Sequence, residues 1–235
     1  MGQINSFEKK VFSQNGEDGV IEELFSRIGT VNRFFVEFGV EDGMECLTHN
    51  LWVHHGWSGV LLEGSQFHYR NLANNIAPYP QVRASQQFVT RDNIGQLFRE
   101  MAVPVEFDFL SIDIDGNDYW VWQALDAYQP RVVVIEYNAS YPPPQNMVIP
   151  YQEDFCWDGT SYFGASLCSL TTLGKKLGYA LIGTDSQGVN AFFLRKDLLD
   201  VAQFAELSPE SAYHPPNYGP DNGGHPHRSG PILDI

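Results

Sequence analysis

The apolar residues of this chain gather in short runs that stop at polar or glycine positions. Such runs fall at 34–38, 59–63, 107–113, 131–136, 179–184 and 189–194, with a weaker one at 81–89. Runs of this length between turn signals read as strands. The run Arg131-Val132-Val133-Val134-Ile135-Glu136 is almost continuous, which suits a central parallel strand buried on both faces. Between the runs the spacing changes to that of a helix. Val20, Ile21, Leu24, Phe25 and Ile28 share one face, as do Ile94, Leu97, Phe98 and Met101, and Leu167, Leu170, Leu173 and Leu177. Further helices are expected from Gly43 to His55, over 66–76 with Phe67, Leu72 and Ile76 inward, and over 119–128. Ser13 and Asn15 are N-cap types ahead of Glu17 and Asp18 in a first turn. Asp185-Ser186-Gln187-Gly188 is a turn that makes a hairpin of 179–184 and 189–194, hence an antiparallel edge.

Strands alternating with helices and closing on a hairpin predict an α/β architecture. It is a Rossmann-like, doubly wound sheet of about seven strands with a C-terminal antiparallel hairpin. Residues 1–205 read as one domain, and 206–235, rich in Pro, Gly and His, as a tail that is mobile or lies over a neighbouring surface. The segment 139–162 has no regular period but many aromatics, among them Tyr141, Trp157 and Tyr162, and is expected to shape a substrate pocket.

Composition narrows the class. With 235 residues and 43% hydrophobic content the chain can bury one sizeable core. The formal net charge of −15, with no Lys/Arg cluster to offset it, repels phosphate backbones and argues against nucleic acid. No run approaches ~18 apolar residues, so no membrane span is expected. No apolar h-region lies near the start, and the three cysteines are scattered, so the expected compartment is the cytoplasm. The opening Met-Gly-x-x-x-Ser matches a myristoylation pattern too short to carry a reading. The expected partner is a small molecule, with a homo-oligomer left open.

The chemistry starts at Glu37-x-Gly39-x-x-x-Gly43, a strand running into a glycine turn. A dinucleotide fingerprint would place closely spaced glycines against a pyrophosphate. Here Glu37, Glu41 and Asp42 surround the turn and would repel one. They suit a cofactor with a sulfonium and an ammonium group, S-adenosylmethionine. Glu63, at the end of the next apolar run, is placed to accept both ribose hydroxyls. Gln14 is a further candidate for the cofactor. The competing readings are a nicotinamide-dependent oxidoreductase, which lacks its glycine spacing here, and a binding module without turnover.

The other strand tips are acidic too: Asp113 with Asp115, and Glu136 with Asn138. A row of buried carboxylates is costly unless something positive compensates it. Asp113, Glu136 and Asn138 have the oxygen chemistry that Mg²⁺ or another divalent cation prefers. They resemble the ligand set of metal-dependent methyltransferases that act on vicinal hydroxyls. Asp113, Asp115 and Glu136 are the candidates for handling the acceptor.

Taken together, Ser13-Gln14-x-x-Glu17-Asp18, Phe35-Val36-Glu37-x-Gly39-x-x-x-Gly43, Gly56-Trp57-x-Gly59-x-Leu61-x-Glu63 and Leu110-x-Ile112-Asp113-x-x-Gly116 resemble the FkbM family of class I methyltransferases over roughly 12–195. The resemblance implies O-methylation of a small hydroxylated molecule, such as a sugar or secondary metabolite, with S-adenosylmethionine as donor. It makes Glu37, Gly39 and Glu63 cofactor contacts. Asp115-Gly116-Asn117-Asp118 and 158–164 depart from the family pattern, which bears on the substrate rather than the cofactor.

Overall fold

The computed structural model describes residues 4–235; residues 1–3, where the myristoylation pattern begins, lie outside the described residues. A seven-stranded sheet forms the centre, in the order β3-β2-β1-β4-β5-β7-β6. Its strands are β1 (Phe34–Phe38), β2 (Ser58–Glu63), β3 (Val82–Gln86), β4 (Glu106–Ile112), β5 (Gln129–Glu136), β6 (Tyr179–Thr184) and β7 (Asn190–Arg195). The first five are parallel, joined by helices α2 to α5 as α/β crossovers require, with α1 ahead of β1. These helices are α1 (Glu17–Ile28), α2 (His49–His54), α3 (Gln66–Ile76), α4 (Ile94–Glu100) and α5 (Asp118–Gln123), with α6 (Leu167–Leu177) leading into β6.

Alternation along each strand splits the core between the two faces of the sheet. Phe35, Leu61, Phe109, Val132 and Val134 pack with Leu24, Phe25, Trp52 and Leu72 on one face. Val36, Phe38, Leu110, Val133 and Ile135 pack with Phe98, Trp122, Leu170 and Leu173 on the other. Glu37 therefore points to the first face, beneath α2.

Several boundaries differ from expectation, each for a tertiary reason. The helix expected from Gly43 begins only at His49. Glu37 Oε1 accepts the Leu47 N–H at 2.8 Å, and Glu37 Oε2 accepts the Thr48 N–H at 3.0 Å and the Thr48 hydroxyl at 2.6 Å. These bonds hold 40–48 as an irregular turn. α5 is shorter than 119–128, its end held by a turn at Leu125 to Tyr128. Phe67 faces outward, 70% exposed. α1 has Gly16 at its N-cap in the left-handed region, while Ser13 Oγ accepts the Asp18 N–H from outside the helix.

The hairpin is β6–β7, but β7 inserts between β5 and β6. The antiparallel strand is thus one in from the edge, and β6, the edge, runs parallel to β5. The tail is tied to its own domain. Tyr213 donates to the Ala139 carbonyl at 2.7 Å, Tyr137 to that of His214 at 2.7 Å, and Leu233 pairs with Val148.

Candidate active site at the carboxyl edge of the sheet

The parallel strands end along one edge, where the chain turns repeatedly over the strand tips. At β1, Gly39 adopts φ 66°, and any Cβ there would run into the Asp113 carbonyl at the tip of β4. Only glycine fits this close approach. The Gly39 N–H reaches back to the Leu62 carbonyl at 3.0 Å, binding the tips of β1 and β2 together. Gly43, with φ 78°, is buried against Leu72, and its carbonyl meets His49 Nδ1 at 2.6 Å.

Glu63 lies at the tip of β2, 6% exposed. Its Oε2 accepts the Glu41 N–H at 2.8 Å and its Oε1 accepts the Ser65 N–H at 2.7 Å. Both oxygens are oriented, and each keeps a lone pair for a ligand. Beside it the Phe88 ring lies over Gly64, opening a groove of about 670 Å³ lined by Phe88, Thr90, Asn93, Glu153, Asp154 and Cys156.

Across the sheet, Asp113, Asp115 and Glu136 converge, with one oxygen from each within 4.8 Å of the others. Burial pushes Asp113 and Glu136 well above the usual carboxylate range, and their acidic neighbours add to it. Burial also raises Asp115, and the charges of Glu41 and Glu63 add to the effect. Asp115 therefore lies within electrostatic reach of the tips of β1 and β2 as well as of the Glu136 end. It adopts φ 57° and Glu41 φ 50°, strained for non-glycine residues and placed at the two turns that face the row. Asp118 is 1% exposed and draws the 114–116 turn inward by accepting the Ile114 and Gly116 N–H groups, each at 2.8 Å.

Asn138, buried after the end of β5, is hydrogen-bonded to the long loop. Its Nδ2 donates to the carbonyls of Ser161 at 2.9 Å and Phe163 at 2.8 Å, and its Oδ1 accepts the Ser140 N–H at 3.0 Å. It locks the start of the long loop to its end, while Asp115 stands beside Asp113 and Glu136. Gln14 is exposed on the loop ahead of α1. Its neighbours Glu17 and Asp18 are tied internally. Glu17 accepts from Asn15 and Asn190, and Asp18 from Val11, Phe12 and Ser13.

The long loop and the tail lie over the Glu136 end of this edge. Phe155 fills the space that Gly116 leaves, Asn117 donates to the Gln152 carbonyl at 2.8 Å, and the Arg91 guanidinium lies 3.8 Å from the Tyr151 ring. From the tail, His225 packs on Trp157 with ring centroids 4.5 Å apart and on Tyr218 at 5.0 Å. Burial raises the Tyr218 phenol pKa, and the charges of Glu136 and Asp185 raise it further. Tyr218 gave no signal of its place in the sequence because it sits in a Pro/Gly stretch with no period. Its only mark is that of an aromatic residue in an otherwise polar tail.

No family model matches the chain, and no curated protein matches it. Solved structures do. A putative O-methyltransferase from Klebsiella pneumoniae superposes with a TM-score of 0.50 at 12% identity, over 81% of this chain and 86% of that one. An S-adenosylmethionine-dependent methyltransferase from Clostridium acetobutylicum gives 0.48 at 12%, over 74% and 88%. The N-terminal domain of EvdMO1, solved with SAH bound, gives 0.48 at 11%, over 77% and 80%. At such identities the similarity is one of fold: this sheet, with its strand order and its inserted antiparallel strand, is the Rossmann-like methyltransferase fold. No helix among the described residues is long and apolar enough to cross a membrane.

Proposed function

We propose that this protein is an S-adenosylmethionine-dependent methyltransferase acting on a hydroxyl of a small molecule. A sugar or secondary metabolite is the acceptor class that the FkbM resemblance favours. The observation that carries the reading is the edge running from Glu63 to Glu136. A pre-oriented carboxylate stands at the tip of β2, a turn only glycine can make at β1, and unneutralised carboxylates at β4 and β5. Such an edge repels a pyrophosphate and attracts a cationic adenosine cofactor.

The cofactor would supply a methyl group on positively charged sulfur, which passes to the acceptor oxygen as the carbon–sulfur bond breaks and S-adenosylhomocysteine is left. Glu63 would accept the ribose hydroxyls through its two held oxygens. Gly39 would act by letting the tip of β4 close onto the turn after β1, and Glu37 indirectly by shaping the 40–48 turn. Gly43 supports that turn from beneath, and Gln14 would close over the cofactor from the loop ahead of α1. Asp113 and Glu136, whose burial raises their pKa values and hence their basicity, would take the proton that the acceptor hydroxyl gives up. Positioning and deprotonation are the main demands of such a displacement, and the loop and tail provide the enclosure for both. A divalent cation, Mg²⁺ or another, at the Glu136 end would lower the hydroxyl pKa further.

Calorimetry with S-adenosylhomocysteine and with NAD tests the reading. Binding of the first at one site in the micromolar range, with no heat from NAD, is expected. Absence of S-adenosylhomocysteine binding at high micromolar concentration overturns it, and NAD binding in its place would make the protein an oxidoreductase.

A further inference from the structure

The tail crosses the end of β5 as an anchored arch. On one side the Asn217 N–H donates to the Gln187 carbonyl at 2.8 Å, in the turn between β6 and β7. On the other, Gly224 lies against Ser140, and the Pro226 carbonyl accepts the Ser161 N–H at 3.0 Å. Between these supports the Gly224 N–H closes the 218–224 loop on the Tyr218 carbonyl at 2.9 Å. β5 ends at Glu136, which pairs with Asn190 just past the β6–β7 turn, so this loop lies beside Glu136. Tyr137, Tyr162 and Tyr213, which pin the long loop and the tail, each donate to a backbone carbonyl at 2.7 Å. Tyr218 is different. Its half-buried phenol donates to no described residue, yet lies within electrostatic reach of Glu136 and Asp185. Asp185 is committed to the N–H groups of Gln187, Val189 and Asn190. Glu136 Oε2 is withdrawn from solvent and has no partner among the described residues. A donor without an acceptor thus stands near an acceptor without a donor, an arrangement that folds rarely leave unused.

We propose that Tyr218 positions the acceptor against Glu136, and that the two together select a neutral hydroxyl. This rests on the methyl-transfer reading and adds to it a residue and a substrate class. A hydroxyl both donates and accepts. Its O–H donates to the Glu136 carboxylate, while one of its lone pairs receives the Tyr218 O–H. The other lone pair attacks the methyl carbon. The carbon–sulfur bond breaks with its electron pair left on sulfur, and the hydroxyl proton passes to Glu136. An ammonium group has no lone pair for the phenol, and a carboxylate brings no proton to Glu136 and meets its charge. Amines and acids are therefore turned away. Burial keeps the Tyr218 phenol protonated, so it remains a donor through the neutral range.

The test uses the full chain and S-adenosylmethionine tritiated on the methyl group. D-Glucose and catechol serve as hydroxyl probes, benzylamine and benzoate as charged ones. Methyl transfer to at least one hydroxyl probe, and to neither charged probe, is expected. Tyr218→Phe should raise the KM of the accepted probe ~3- to 10-fold, the scale of one lost hydrogen bond. Its S-adenosylhomocysteine Kd and thermal midpoint should stay as they were, because the phenol holds no partner in the fold. Tyr213→Phe, which loses its bond to the Ala139 carbonyl, should lower the midpoint instead. An unchanged KM in Tyr218→Phe, or a midpoint that falls as KM rises, overturns the inference. So does transfer to benzylamine or benzoate, or S-adenosylhomocysteine binding with no transfer to either hydroxyl probe. Failure to bind S-adenosylhomocysteine at all removes the methyl-transfer reading itself.

Discussion

Glu63 is the residue most completely prepared for a ligand. Its two oxygens are aimed by the Glu41 and Ser65 N–H groups before anything binds. Removing it takes away a charged acceptor and strips two backbone donors of their partner. Glu63→Ala should therefore weaken S-adenosylhomocysteine binding by ~1.5–3 kcal/mol, the range for hydrogen bonds to charged groups. That is roughly a 10- to 150-fold rise in Kd by calorimetry. An unchanged Kd would take the ribose hydroxyls away from Glu63. Its candidacy could be read from sequence because it ends an apolar run, and a strand tip is a local property. The fate of Asn138 could not. The carbonyls that occupy its amide come from Ser161 and Phe163, more than twenty residues away.

At the scale of elements, β4 and β5 carry the candidate site at one end and a structural knot at the other. Near their amino ends Arg131 and Asp108 form a buried pair at 2.9 Å. Asp108 also gathers the N–H groups of Val31, Asn32 and Arg33, while Arg131 holds the Ile28 and Gly29 carbonyls. The pair thus fastens the end of α1 to the sheet. Breaking a buried pair from one side costs ~3–5 kcal/mol. Arg131→Met should sit near the lower limit, because Asp108 keeps its backbone donors. Urea unfolding should show that loss as a lower midpoint with an unchanged slope. S-Adenosylhomocysteine affinity should stay as it was, since the knot lies at the edge opposite Gly39. A parallel loss of affinity would mean that the two edges are coupled. The spacing of apolar residues anticipated these strands well, and it failed at α2 and at the insertion of β7. In both places a distant partner decides: Glu37 for the turn at 40–48, and β5 for β7.

For the whole molecule, the surplus of buried acid makes stability depend on pH in an unusual direction. Burial lifts Asp118 from 3.8 to about 6 and Asp185 from 3.8 to about 7. A group whose folded pKa is raised contributes stability that is full below its unfolded pKa and lost as pH rises through the folded value. Chelator-treated protein should therefore be less stable at pH 8 than at pH 6, by on the order of 1–2 kcal/mol. Calorimetric midpoints should fall by ~2–8 °C between those values. A midpoint that rises toward pH 8 would show that these carboxyls are already ionised in the fold. The sequence by itself determined the alternation of strands and helices, the glycine turn after β1 and the acidic tips, because period, turn chemistry and residue type act over a few neighbouring positions. Only the tertiary structure decided which acids are satisfied. Glu37, Glu63 and Asp118 receive donors from turns folded back over them, and Asp113, Asp115 and Glu136 receive none from the described residues. Hydrogen-bond partnership is set by where segments remote in the chain come to lie, and for that reason it appears only once the strand tips are brought side by side.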